Sequence, residues 1–260
     1  MSGLQAITFA RHGNKKWLRF YNYNFASTDT VAGLIAQELA PAMMSTAIAF
    51  IRGQEGYSPV AVLNLVNGKN LYVGHDGRWL ANHVPLVYLN YPFRLGKNSN
   101  NEHVLCINED SGLVTDDAHG EPFYVSQGVP MEQLKSIMNS LLQVEQGNEK
   151  TREICKILAK HGLIVPWEIP QPAGVESKII SGLYRIDELK LNALDASALI
   201  ELRNTGALVL AYSQLFSMQH LRTLTKMVVD SSATAQNGMA NNLGFTISDD
   251  SGTLNFDNLR

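Results

Sequence analysis

Ser58-Pro59-Val60-Ala61-Val62-Leu63-Asn64-Leu65-Val66 runs into Asn67-Gly68, returns through Asn70-Leu71-Tyr72-Val73, turns again at His75-Asp76-Gly77 and ends in Arg78-Trp79-Leu80. Apolar β-formers lead into a dipeptide that tolerates the positive φ of a tight hairpin turn. A second polar turn follows before the chain becomes apolar again. The stretch predicts a three-stranded antiparallel meander near 58–81. Thr46–Ile51, His103–Asn108 and Ile179–Ile186 read as further strands, the last after the proline-rich connection Pro166–Pro172.

The second half has the helical period. Met131, Leu134, Ile137, Met138, Leu141 and Leu142 form one apolar face after Pro130, which suits a first helical turn. Gly147-Asn148 either splits this segment from Ile154, Ile157 and Leu158 or weakens one long helix. His161-Gly162-Leu163 reads as a Schellman stop, and Asp187 and Asp195 as N-caps of two more helices. A long helix is expected over about Ala207–Val229. The class that follows is α+β, a β-rich N-terminal half packed with a helical C-terminal half. Residues 1–229 read as a single domain, and 230–260 as a polar linker (Ser231–Asn242) and a tail. Alternation across Phe245, Ile247, Leu254 and Phe256 fits a terminal hairpin, or a tail that docks on a partner.

The 260 residues are 45% hydrophobic, which excludes a disordered chain, and only 17% charged, against about 25% in ordinary domains. The deficit sits in Leu39–Ile51 and Asn204–Leu221, expected to be central elements packed on several sides. An uncharged interface bearing Gln214, Ser217 and Gln219 is the alternative. Twenty-one basic against 24 acidic residues give no electrostatic case for nucleic acid. Neither charge-free stretch reads as a membrane span and no secretory signal is visible, so a cytoplasmic location is expected. Cys106 and Cys155 show neither disulfide nor zinc spacing. The oligomeric state is left open.

No motif states a reaction. Gly56-Tyr57-Ser58-Pro59-Val60 starts like a nucleophile elbow but lacks its last glycine, and Pro59 blocks the turn. Gly68-Lys69-Asn70 lacks the upstream glycine and the Ser or Thr of a phosphate loop. The acidic stretch Glu109–Glu121 does not have the alternating pattern of a calcium loop and reads as solvated. Three site readings remain. Arg78, Trp79, Tyr91 and Phe93 are candidate ligand-binding residues, because aromatic rings beside a guanidinium serve a cleft as well as a core edge. His75, Asp76 and His103, with the acidic loop, are a speculative metal set. The arm Trp17, Phe20, Tyr21, Tyr23 and Phe25, interleaved with Lys15, Lys16 and Arg19, either stacks on a ligand or packs across the body.

Taken in order, several stretches resemble the SapC family of bacterial proteins. They are Arg11-His12-Gly13; Ser58–Leu63, Asn70–Val73 and Asp76–Trp79; Val84-Pro85 leading to Tyr91-Pro92-Phe93; Gly182–Glu188 with Lys190-Leu191 and Leu194; and Glu201-Leu202, Gly206–Leu208 and Leu215–Leu224. The resemblance spans about residues 10–228. Two departures are Leu89-Asn90, where the family usually carries basic residues, and His83, where an aromatic is common. The family label comes from surface-layer gene clusters, with outer-membrane receptor and flavin-dependent halogenase genes often nearby, so the resemblance implies a setting rather than a reaction. The expectation is a non-catalytic accessory protein, without cofactor, that binds a peptide or protein partner. A metal-dependent enzyme or a small-molecule binder with a site near 75–93 is the alternative.

Overall fold

The chain's structure, a computed structural model, describes residues 3–242, 246–247 and 254–255. Its centre is an antiparallel five-stranded sheet of β1 (Val31–Gly33), β2 (Ala47–Gly53), β3 (Gly56–Val62), β4 (Ile164–Pro166) and β5 (Leu183–Ile186), in the order β4-β5-β2-β3-β1. The β2–β3 hairpin holds it together, pairing from Ala47 with Val62 down to Gly53 with Gly56. Ala47–Phe50 and Val60–Val62 are buried without alternation, because both faces of these strands are covered. The α+β class stands, with antiparallel sheets mostly in the first half and helices in the second.

The meander near 58–81 is reduced to one strand. β3 pairs with β2 and β1, not with residues 70–73. The two later passes return as expected but bond sparsely: Leu71 N–H to the Leu63 carbonyl, Leu80 N–H to that of Tyr72, and one bridge between Val73 and Trp79. Two buried asparagines explain this. Asn64 accepts from Val66 N–H and donates to the Lys69 carbonyl; Asn70 accepts from Tyr72 N–H and donates to that of Ala26. Their side chains take backbone groups that a ladder would have used. The Asp76-Gly77 turn docks on the N-terminal arm, where Tyr23 N–H reaches the Gly77 carbonyl at 2.8 Å. Gly77 has φ +78°, and a Cβ there would stand 2.7 Å from Asn22 Cβ, so glycine is required twice over.

Four long helices follow: α1 (Glu132–Lys160), α2 (Ala196–Thr205), α3 (Ala207–Ser217) and α4 (His220–Asn242). α1 is unbroken across Gly147, and it starts after Pro130, which lies in a short hairpin pairing Tyr124–Ser126 with Val129–Pro130. A Cβ on Gly147 would meet Ile35 Cδ1 at 2.7 Å, so the glycine lets the Ala36–Glu38 turn sit against the helix. Thr151 Oγ1 completes that contact, accepting from Ala36 N–H at 2.8 Å. The Schellman stop is present: Gly162 has φ +63°, and Leu163 N–H reaches the Leu158 carbonyl. Asp187 and Asp195 cap as expected, on Lys190 N–H and Ala198 N–H.

The helix expected over Ala207–Val229 is two helices. The bonding shifts to i→i−3 at Met218 and Leu221. The expected linker 231–242 is the end of α4, for its Ala, Ser, Gln and Met contain no proline to stop a helix. Beyond it Thr246–Ile247 pairs antiparallel with Leu254–Asn255, and the remaining tail positions lie outside the described residues. No helix among the described residues is long and apolar enough to cross a membrane.

Gln214 and Ser217 are fully buried inside the molecule; of the expected uncharged interface only Gln219 is exposed. β5 pairs with β2 only through Leu183 and Tyr184, then diverges. Where it leaves, Gln214 accepts from Ile186 N–H and donates to the Ile48 carbonyl, and Ser217 Oγ accepts from Ile48 N–H at 2.9 Å. A second, smaller core of Trp17, Phe93, Ile107, Phe123 and Leu134 lies against the sheet of Leu4–Ala6, His103–Asn108 and Phe93–Lys97. Gln214→Ala strands two buried backbone groups, each costing ~1–3 kcal/mol. It is expected to lower the urea midpoint clearly, whereas Gln219→Ala leaves it unchanged; equal midpoints would refute the account.

Candidate functional site

The arm after residue 15 is fixed by pairing. Lys16–Trp17 is the middle strand between Val114–Thr115 and Glu121–Pro122, which carries Trp17 into the small core, edge-on to Phe93 at 4.9 Å. Phe20 then packs on Tyr23, Phe25 and Tyr91. Phe25 stacks flat on Tyr91, with centroids 3.8 Å apart, and also touches Tyr88, which leads to Trp79, itself stacked on Tyr72. Both readings of the arm therefore hold in part. Its rings pack across the body, except the exposed Tyr21, and some of them also line a cleft.

That cleft, of about 390 Å³, opens between the arm, the 89–93 turn and the first turns of α1. Its walls are Trp17, Phe20, Tyr91 and Phe93, with Leu89 and Ile137; its polar groups are Arg19, Asn90, Gln133 and Ser136. Phe25 covers one face of Tyr91, so the opposite face or the edge borders the cleft. Burial raises the Tyr91 phenol, which stays protonated. Arg19 lies 5.8 Å over the Trp17 ring and pairs with Glu121 at 2.6 Å, so the rim is close to neutral. Asn90 donates to Ser140 Oγ. Trp17 is 4% exposed, and its indole N–H has no acceptor among the described residues. A buried donor left unpaired costs ~1–3 kcal/mol.

The candidate residues divide. Tyr91 and Phe93 line the cleft. Trp79 lies in the main core's aromatic cluster, its N–H given to the His83 carbonyl at 2.7 Å. Arg78 is exposed and pairs with Asp76 across the turn; its backbone N–H first, and then its guanidinium, hold that carboxyl below its usual range. His75, Asp76 and His103 are all exposed, and His103 belongs to the sheet of the small core. Among the described residues no three His, Cys, Asp or Glu side chains stand where they could hold a metal ion. In the acidic loop, Glu109 and Glu121 serve the arm's arginines. Gln133 and Ser136 escaped the sequence reading; their only signal is their place off the apolar face of α1.

A family model described as SapC matches residues 7–224. No curated protein and no solved structure matches the chain.

Two arginine–glutamate pairs pin the arm ahead of and beside the cleft. Arg19 holds Glu121, and Arg11 grips both oxygens of Glu109, its Nε at 2.8 Å. His12, fully buried against Phe123, places Nε2 3.2 Å from Glu109. Burial, opposed by Glu109, lowers the His12 pKa, while the Arg11 bond brings that of Glu109 from 4.5 to about 2. A lowered carboxyl pKa contributes stability that is complete above the ordinary value and is lost as pH falls from 4.5 towards 2. Glu109→Gln is therefore expected to lower the urea midpoint at pH 7 and to flatten its decline between pH 4.5 and 3. Parallel pH profiles for the two proteins would contradict this.

Proposed function

The chain belongs to the SapC family, and we propose that it works as a binding protein that takes a segment of a peptide or protein partner into the aromatic cleft. One observation carries the reading. The cleft brings together four aromatic side chains, among them Trp17, whose buried indole N–H has no acceptor among the described residues, and the polar side chains of Asn90, Gln133 and Ser136. Its lining contains no His, Cys, Asp, Glu or Lys, so neither Ser136 nor Tyr91 has a base in the lining to activate it. Its groups suit recognition instead, since rings supply contact area and amides and hydroxyls fix orientation. A surface-layer or outer-membrane-associated setting rests on the family resemblance.

Selection from a random-peptide display library on the immobilised full chain tests this. Ser136 is exposed on the cleft wall, so Ser136→Arg fills the cleft without touching either core. Selected peptides are expected to lose at least about tenfold in affinity for Ser136→Arg, the scale of one hot-spot contact. Its melting temperature should be unchanged. Peptides that bind both proteins equally would refute the cleft as the site.

A further inference from the structure

The three exposed residues of α3, Val209, Tyr212 and Phe216, are all large and apolar, and their spacing sets them in one row along the helix. Val209 is 64% exposed and Phe216 61%, and Tyr212 stacks on Phe216 with centroids 5.9 Å apart. The row lines a groove of about 330 Å³ together with Met43, Leu208 and Arg203, which is the groove's one charge. We propose that this face binds a second copy of the chain, α3 against α3 in antiparallel two-fold contact, with Val209 of each copy against Phe216 of the other.

Composition, area and charge select this occupant. Interfaces with transient partners are about as polar as the rest of a protein surface, whereas homodimer interfaces are richer in apolar area and resemble a core cut in half. With Met44, 64% exposed and next to Met43, the row leaves roughly 450 Å² of apolar side chain uncovered, a size at which an apolar patch is often an interaction site. Two such faces remove roughly 900 Å², which at the ~65% apolar share of a homodimer interface implies about 1,400 Å² in all, the size of a specific complex. A two-fold axis near Tyr212 sets the short Val209 against the long Phe216 at both ends, so the row is complementary to itself. Arg203 precedes the N-terminus of α3. A parallel pair would bring the two guanidiniums together. The antiparallel pair moves each to the C-terminal end of the other α3, where the helix carbonyls favour a cation.

Sedimentation velocity of the full chain between about 1 and 100 µM, followed by crosslinking, tests this. The chain is expected to sediment as a dimer at the upper concentration. Phe216→Glu and Val209→Glu, both at exposed positions, should stay monomeric there and keep the far-ultraviolet circular dichroism of the unaltered chain. Val209→Cys and Phe216→Cys should form a disulfide with each other when mixed and oxidised, and neither with itself, because only unlike positions face one another across the two-fold. A chain that is monomeric throughout, as it would be if another protein or its own residues 243–260 covered the face, overturns the inference. So does a dimer that persists in both glutamate variants, or a pair of cysteine variants that crosslink like to like or not at all.

Discussion

A strand buried on both faces can leave no backbone group unpaired, and β2 meets that demand in two ways. Along one edge it pairs with β3 over its whole length. Along the other, β5 stays for only two residues, and α3 takes over with Gln214 and Ser217. The helix therefore lies against the sheet with three of its polar side chains, Ser213, Gln214 and Ser217, inside the core. The rest of its inner side is mostly apolar, with Ala207, Leu210 and Ala211 buried. This placement accounts for the lack of charge at Ala47–Phe50 and on the inner side of α3; the outer side of that helix is uncharged too, yet Val209, Tyr212 and Phe216 are exposed there.

The small core depends on the arm. Trp17 and Phe123 belong to it, and the arm reaches them because Lys16–Trp17 pairs on both sides and Arg11 and Arg19 hold Glu109 and Glu121. From there a run of rings, Phe20, Phe25, Tyr88 and Trp79, ties the arm to the main core. The cleft opens where this belt meets α1. Its walls are therefore supported from behind by packed rings, which suits a site that fixes a ligand's orientation.

Local grammar was legible in the residues: the α+β division, the strand at His103–Asn108, the caps at Asp187 and Asp195, and the Schellman turn at Gly162. Side-chain hydrogen bonds between distant segments were not. Asn64 and Asn70 look like ordinary turn residues, yet their amides displace the ladder that the apolar pattern between them predicts. Gln214 and Ser217 look like a polar helix face, because their partners at Ile48 and Ile186 lie far off in sequence. Half of the four-residue ligand set, Tyr91 and Phe93, reached the cleft. Arg78 and Trp79 did not, since the Asp76-Gly77 turn folds back on Asn22–Asn24 and carries them to another part of the aromatic cluster. Gln133 and Ser136 sit on a helix face that reads as solvated until the arm is seen beside it.

The functional account turns on one donor. Trp79 belongs to the aromatic cluster of the main core and Trp17 to the small core; the first gives its N–H to a carbonyl, and the second finds no acceptor among the described residues. An NMR titration following the indole N–H resonances of the full chain reads this difference directly. The account predicts that in the free protein the Trp17 N–H lies upfield of the hydrogen-bonded Trp79 N–H. On addition of a peptide selected on the immobilised full chain it should shift, while Trp79 stays in place. A Trp17 N–H already hydrogen-bonded in the free protein, or unmoved when the peptide is bound, would contradict it.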